Sequence, residues 1–189
     1  YNEAALKASR TNLIQADIWA KIIWGDIGDP DLLAKDLQDK YDIDLKKLLN
    51  VRTFLDHNRI WKTPAENKNL GLSSSSGAYT FEGKRLDNNL VSESLKQHIK
   101  KWTPYVQKFG LLLIELHTVK PQLIAKNIGK TAATAYDLTH GYSDQYILEV
   151  DEFEKVIREA GLTSEEYGIR KFPNSDLATV SIGLFRSIQ

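Results

Sequence analysis

The chain contains no cysteine and no methionine among its 189 residues. Without thiols it can form no disulfide, use no thiolate nucleophile and build no cysteine-ligated metal centre. An excess of charge is missing too, since 25 Lys and Arg stand against 25 Asp and Glu. That balance removes the long-range attraction towards nucleic acid or an anionic membrane, and neither is expected as a partner. The longest compact apolar run is Leu111-Leu112-Leu113-Ile114, against the roughly 18–20 residues of a membrane helix. No basic-then-apolar leader opens the chain, so a cytoplasmic setting is expected. A start methionine is absent and the first residue is Tyr1, which makes an incomplete N-terminus the expectation. Hydrophobic residues supply 42 % and charged residues 26 %, ordinary for a soluble globular protein. The length suits one domain over 1–189.

Helix-like and strand-like stretches alternate along the chain, with turn residues at the junctions. Residues 2–15 read as a helix and Ala20-Lys21-Ile22-Ile23-Trp24 as a short strand. Asp29 followed by Pro30 signals a helix cap, because proline at the first helical position loses only a donor that had no partner. That helix is expected over 31–41. Leu48 to Phe54 reads as a buried strand and Leu55 to Arg59 as its exit loop. From Trp61 to about residue 90 periodicity fades around Pro64, four successive serines at 73–76, and Gly71, Gly77 and Gly83. This segment is a flexible insertion or a lid over a site. A helix from Ser92 ends at Gly110, the strand Leu111 to Leu116 follows, and a helical stretch is expected around 121–139. A polar loop over 139–145, an amphipathic helix at 151–160 and two β stretches, 169–172 and 177–185, complete the order. Such alternation argues for an α/β domain with a mostly parallel sheet and helices on both faces, whose ligands sit outside the carboxyl ends of the strands.

Chemistry-bearing residues collect at those ends. Gly25-Asp26-Ile27-Gly28 is a weak glycine-turn match that also reads as an ordinary strand-to-helix turn. Arg52, Asp56, His57, Asn58 and Arg59 crowd the end of an apolar strand, where a carboxylate can orient an imidazole as a base or a metal ligand; a solvated loop is the plainer alternative. His117 directly follows an apolar strand, and His140 shares a loop with Gln145. Histidines at strand exits could converge with a carboxamide on a divalent metal, or lie apart by chance. His98, between Gln97 and Ile99 in a helix, reads as exposed.

The order of pieces resembles class I S-adenosylmethionine-dependent methyltransferases: Asn2-Glu3-Ala4-Ala5-Leu6 opening a helix, a strand ending Gly25-Asp26-Ile27, a helix ending at Gly110-Leu111, and Glu159-Ala160-Gly161-Leu162 before two closing strands. More narrowly, Val51 to Arg59, Ile114 to Thr118 and Thr139 to Tyr146 resemble the methyltransferases of bacterial polyketide synthases, such as those of the apratoxin pathway. The resemblance implies a Rossmann-like fold with an antiparallel C-terminal hairpin, and S-adenosyl-L-methionine as cofactor. Carried onto this chain, Asp26 and Ile27 would contact the adenine, with Asp26 accepting from its exocyclic amine. Arg52, Thr53 and Phe54 would lie beside the cofactor. Some relatives hold an acidic, malonate-like substrate on a divalent transition metal. His57 and Gln145 would then be the metal ligands, and His57, His140 and Tyr142 the catalytic residues. The implied reaction is metal-polarised enolate formation and methyl transfer to carbon, on a small-molecule or acyl-carrier-bound acid.

One departure stands beside the likeness. The family's first two strands, with their glycine-rich loop and acidic residue, have no counterpart here, so a sheet edge would be exposed. The chain is therefore expected to be a fragment, or to form a homo-oligomer through its sheet edges. A non-catalytic oligomeric binding module is the alternative function.

Overall fold

The computed structural model describes residues 2–64, 70–164 and 166–188. Helix α1 (Glu3–Gln15) is capped by Asn2, whose side chain accepts the Ala5 N–H at 3.1 Å, and buries none of its residues. The strand expected at 20–24 does not form, because among the described residues no strand lies beside it to pair with. The chain passes instead into a turn in which Asp26 Oδ1 accepts the Gly28 N–H at 2.7 Å. Asp29 then caps helix α2 (Pro30–Tyr41) through the Leu32 N–H, as the Asp-Pro signal indicates. Strand β1 (Asn50–Thr53) is followed by a single 3-10 turn over 56–58. A small hairpin, β2 (Thr80–Phe81) with β3 (Lys84–Arg85), precedes α3 (Asn88–Trp102), capped by Asp87.

Strand β4 (Leu111–Leu116) has the expected bounds. The helix expected over 121–139 is broken into α4 (Pro121–Lys126), a left-handed Gly129 with φ +74, a 3-10 turn over 132–135 and α5 (Tyr136–Ser143). The loop expected at 139–145 is thus mostly helical, and the chain leaves α5 at Asp144 with φ +49. Helix α6 (Val150–Glu159) leads to β5 (Leu162–Thr163), β6 (Ile169–Phe172) and β7 (Val180–Ser187).

Strand β1 runs parallel to β4, from Asn50 opposite Leu111 to Thr53 opposite Ile114. Strands β4, β5 and β6 all pair antiparallel with β7. So β1, β4, β5 and β6 share one direction and β7 alone opposes them. The result is a Rossmann-like, mostly parallel sheet that closes with the antiparallel β6–β7 hairpin. Alternation along β4 buries Leu111, Leu113 and Glu115 on one face, and Ser181 and Phe185 of β7 join them. Helix α3 covers that face with Val91, Leu95, Ile99 and Trp102, and α6 with Phe153, Val156 and Ile157, so one apolar core forms beneath the sheet. On the other face Leu112, Ile114, Ile182 and Leu184 are only half-buried and Val51 is exposed.

The serine run has a definite place. Glu152 of α6, itself buried, accepts at Oε2 from the N–H and hydroxyl of Ser74 and at Oε1 from the hydroxyl of Ser92. Glu149 Oε1 accepts the N–H of Ser76 at 2.8 Å and its hydroxyl at 2.5 Å. Asn88 and Asn89 of α3 bind the Ser75 carbonyl and the Ser73 N–H, both at 2.7 Å. Residues 73–76 of the expected insertion therefore strap α3 to α6; residues 65–69 lie outside the described residues.

Candidate active site at the carboxyl ends of the parallel strands

Glu115 is a single carboxylate in an otherwise apolar strand, and its position in β4 points it inward with Leu111 and Leu113. The turn that leaves β1 folds back over it. Glu115 Oε2 accepts the backbone N–H groups of Asp56 and His57 at 3.0 and 3.2 Å. Its Oε1 lies 2.5 Å from His57 Nδ1 and also accepts the Leu116 N–H at 2.8 Å. A buried carboxylate with four donors is fully satisfied, and it selects the Nδ1–H tautomer of His57, leaving Nε2 as the basic atom. His57 is only 4 % exposed.

A second histidine–carboxylate pair lies one residue away. Asp56 is buried between Arg52, with which it forms an ion pair, and His98, whose Nε2 lies 3.0 Å from Asp56 Oδ1. Burial alone would raise the Asp56 carboxyl, but Arg52, with His98 and Arg59, outweighs it and holds the group below the usual carboxylate range. Arg52 stacks 4.3 Å over the Trp102 ring, and burial lowers its guanidinium against the pull of Asp56. The Nε and Nη2 atoms of Arg52 are buried without a hydrogen-bond partner among the described residues. Arg59 is fastened by the Asp56 carbonyl, the Val91 carbonyl and the Ser94 hydroxyl at 3.0, 3.0 and 3.2 Å, and burial lowers it to about 10. His98 is thus not exposed, contrary to expectation: it is 7 % exposed, because the β1 exit turn packs against its face of α3.

Beside this network lies a cleft of about 500 Å³, walled by the turn at Asp26–Gly28, by Leu55 and Asn58–Ile60 after β1, and by Ser94, Gln97, His98 and Lys101 of α3. The turn is docked on α3 by the Trp102 Nε1–H to the Ile27 carbonyl and by Lys101 Nζ to the Gly28 carbonyl, at 2.8 and 3.0 Å. Of the five residues expected at the cofactor, Asp26 and Ile27 line this cleft. Arg52 lies buried behind it, Thr53 is exposed, and Phe54, at φ +56, is 37 % exposed on the β1 edge.

The residues expected at the substrate are divided. The Tyr146 N–H donates to the His57 carbonyl at 2.9 Å, so Gln145 stands next to the strand exit that carries His57. His140 is fully buried, its ring stacked 4.6 Å from that of Tyr79, with Nε2 accepting the Ile147 N–H at 3.2 Å. Its Nδ1 is 3.3 Å from Asp137 Oδ1, an ion-pair distance without hydrogen-bond alignment. Tyr142 is 84 % exposed on α5. His117 is sealed against Phe153, with Nε2 2.7 Å from the Ser181 hydroxyl, and burial drives it down to about 3.

The family model described as the AprA MT2-like domain matches residues 1–183. The chain belongs to that methyltransferase family. A search of curated proteins finds no match to this AprA MT2-like domain. Its fold and its family together make it a methyltransferase domain.

The family implies S-adenosylmethionine, and the cleft suits the adenosyl end: Ile27, Leu55 and Ile60 are apolar, and Asp26 and His98 are polar groups in the same walls. Gly28 keeps the turn close, since a Cβ there would come 3.1 Å from Asp26 Oδ1. The fit to a divalent metal is poor. Among the described residues no three His, Asp or Glu side chains converge as a metal site. His140 has its Nε2 occupied, which leaves His57 Nε2 and Gln145 without a carboxylate partner.

Glu115 and His98 carried no role in the sequence reading. Glu115 had a usable signal, a lone acid at an inward position of an apolar strand. His98 had none.

Proposed function

We propose that this domain transfers the methyl group of S-adenosylmethionine to the acidic carbon of a small or carrier-bound carboxylic substrate, with His57 as general base. The observation that carries this reading is the 2.5 Å contact between His57 Nδ1 and Glu115 Oε1 at the carboxyl ends of two parallel strands. Bound S-adenosylmethionine supplies an electrophilic methyl on a sulfonium. His57 Nε2 removes a proton next to the substrate carbonyl, and the enolate carbon so formed is the nucleophile. Glu115 stabilises the imidazolium that results and keeps the ring from turning. Burial of the pair excludes water, which would otherwise protonate the enolate. His57 stands not in the cleft itself but in the wall of a neighbouring void of about 10 Å³, which it shares with Glu115 and Tyr146. The acidic substrate is what the resemblance to polyketide synthase methyltransferases implies.

Metal-assisted chemistry, also implied by the resemblance, would occupy the same Nε2 lone pair with Gln145 as co-ligand. A histidine cannot hold a metal and take a proton at one nitrogen, so the two versions exclude each other.

Transfer of labelled methyl from S-adenosylmethionine to a panel of malonyl and methylmalonyl thioesters, free and carrier-bound, tests the proposal. H57N and E115Q should lose about 10²–10⁴-fold in rate while S-adenosylhomocysteine binds as before. Full transfer by either variant would contradict it.

One feature favours an assembly role as a second reading. Among the described residues β1 pairs with β4 alone, with Val51 exposed on it and Leu48 and Leu49 exposed just before it. An open apolar edge can take a strand of another copy. Light scattering over a concentration series should then show a closed oligomer; a monomer throughout would end that reading.

A further inference from the structure

Ser94, Gln97, His98 and Lys101 follow helical spacing on α3, and all four line the cleft opposite Asp26. Three of them use their polar groups elsewhere. The Ser94 hydroxyl accepts from Arg59, Gln97 donates to Glu93 Oε1 at 3.0 Å, and Lys101 donates to the Gly28 carbonyl. His98 differs. Its Nε2 is fixed by Asp56, whereas its Nδ1 has no hydrogen bond among the described residues and is not sealed in the interior.

The state of that nitrogen follows from its neighbours. Arg52 Nη1 stands 3.3 Å from the same Nε2, but the carboxylate of Asp56, held ionised by Arg52, is nearer at 3.0 Å and selects the Nε2–H tautomer, which leaves a lone pair on Nδ1. Burial, reinforced by the nearby Arg52 and Arg59 and opposed by Asp56, lowers the proton affinity of His98 and favours the neutral ring. Across the cleft, Asp26 Oδ1 accepts one N–H from Gly28, and a carboxylate has capacity for more. Two acceptors therefore line a cleft whose walls also carry the apolar Ile27, Leu55 and Ile60. A flat ring bearing a primary amine complements that pattern, because the amine has two N–H groups to give.

We propose that His98 is a specificity-determining residue of the cleft, its Nδ1 accepting one N–H of the ligand's exocyclic amine while Asp26 accepts the other. This rests on the reading of the cleft as an adenosyl site and adds to it a second reader of the 6-amino group. A 6-oxo purine places a carbonyl oxygen against two acceptors and is rejected. Sites built to bond an N–H discriminate strongly against analogues that lack it, because the buried partner is left unpaired.

Calorimetric titration of the full chain with S-adenosylhomocysteine and S-inosylhomocysteine tests the inference. Wild type should prefer the adenosyl compound by about 100-fold. H98Q retains an N–H for Asp56 but has no acceptor in the place of Nδ1. It should lose about tenfold in adenosyl affinity and nothing in inosyl affinity. Unchanged preference in H98Q, or equal weakening towards both compounds, overturns the inference and leaves the cofactor reading standing. Absence of heat with wild type and the adenosyl compound overturns both. Should H98Q fail to fold, ¹⁵N spectra of wild type decide: the His98 Nδ1 resonance should move on addition of S-adenosylhomocysteine, and a fixed resonance rejects the contact.

Discussion

Glu152 Oε2 accepts both the backbone N–H and the hydroxyl of Ser74, at 2.9 and 2.8 Å, across 78 residues of sequence. One buried carboxylate thereby closes the serine segment over the α3–α6 interface. Replacing it by Gln leaves an amide N–H₂ facing donors, so E152Q should cost about 1–3 kcal/mol in urea unfolding. Hydrogen exchange should rise first at residues 73–76. Although burial pushes Glu152 up, the Ser74 N–H and the hydroxyls of Ser92 and Ser74 hold it below its usual value. A carboxyl depressed in the folded state contributes stability above its unfolded pKa and loses it as pH falls through the folded one. The strap should therefore loosen only in the acid range, below the ordinary carboxylate value.

His117 gives an earlier acid signature. Its folded pKa is lowered by burial to about 3 from 6.5. Between those values the unfolded chain binds a proton that the folded chain does not, so stability falls as pH drops from 6.5. The slope contributed by one such group is up to about 1.4 kcal/mol per pH unit. Denaturant unfolding at pH 7.5, 6 and 5 should show that loss, and H117Q should flatten it.

Arg59 stabilises the cleft wall through three hydrogen bonds and the Tyr146 ring, 5.2 Å from its guanidinium carbon. Arg59→Met fills similar space but strips the donors from two buried carbonyls. A loss of about 3–5 kcal/mol in unfolding free energy is expected. A change below 1 kcal/mol would mean that the network contributes little.

Chelation separates the two versions of the chemistry. With His57 as a base, extensive dialysis against EDTA should leave methyl transfer and S-adenosylhomocysteine affinity unchanged. Loss of transfer that is restored by a divalent ion would instead assign His57 Nε2 and Gln145 to a metal.

The sequence made local features legible and left long-range ones unread. Strand β4 announced both its ends, through Leu111 to Leu116 and the Gly110 stop, and Gly110 does adopt φ +89. A Cβ there would stand 2.8 Å from the Phe185 carbonyl oxygen, so no other residue fits without strain. Asp29 and Pro30 marked the start of α2 just as plainly. The 20–24 run failed because a β-prone stretch needs a neighbour, which no local pattern supplies. The contact of His57 with Glu115 spans 58 positions and that of Asp56 with His98 spans 42, so neither leaves a periodic trace. The turn at Asp26 and Ile27 is legible as a weak glycine-turn match, its adenine role is implied by the family resemblance alone, and it is the docking of the turn on Trp102 and Lys101 that puts both residues in the cleft.

The most direct measurement is a crystal structure of the domain with S-adenosylhomocysteine. Adenine density in the cleft between the Asp26–Gly28 turn and His98, with the sulfur directed towards the 56–58 turn, is the expected result. Ligand bound away from that cleft, with His57 and Glu115 remote from its sulfur, would contradict the assignment of this site to methyl transfer.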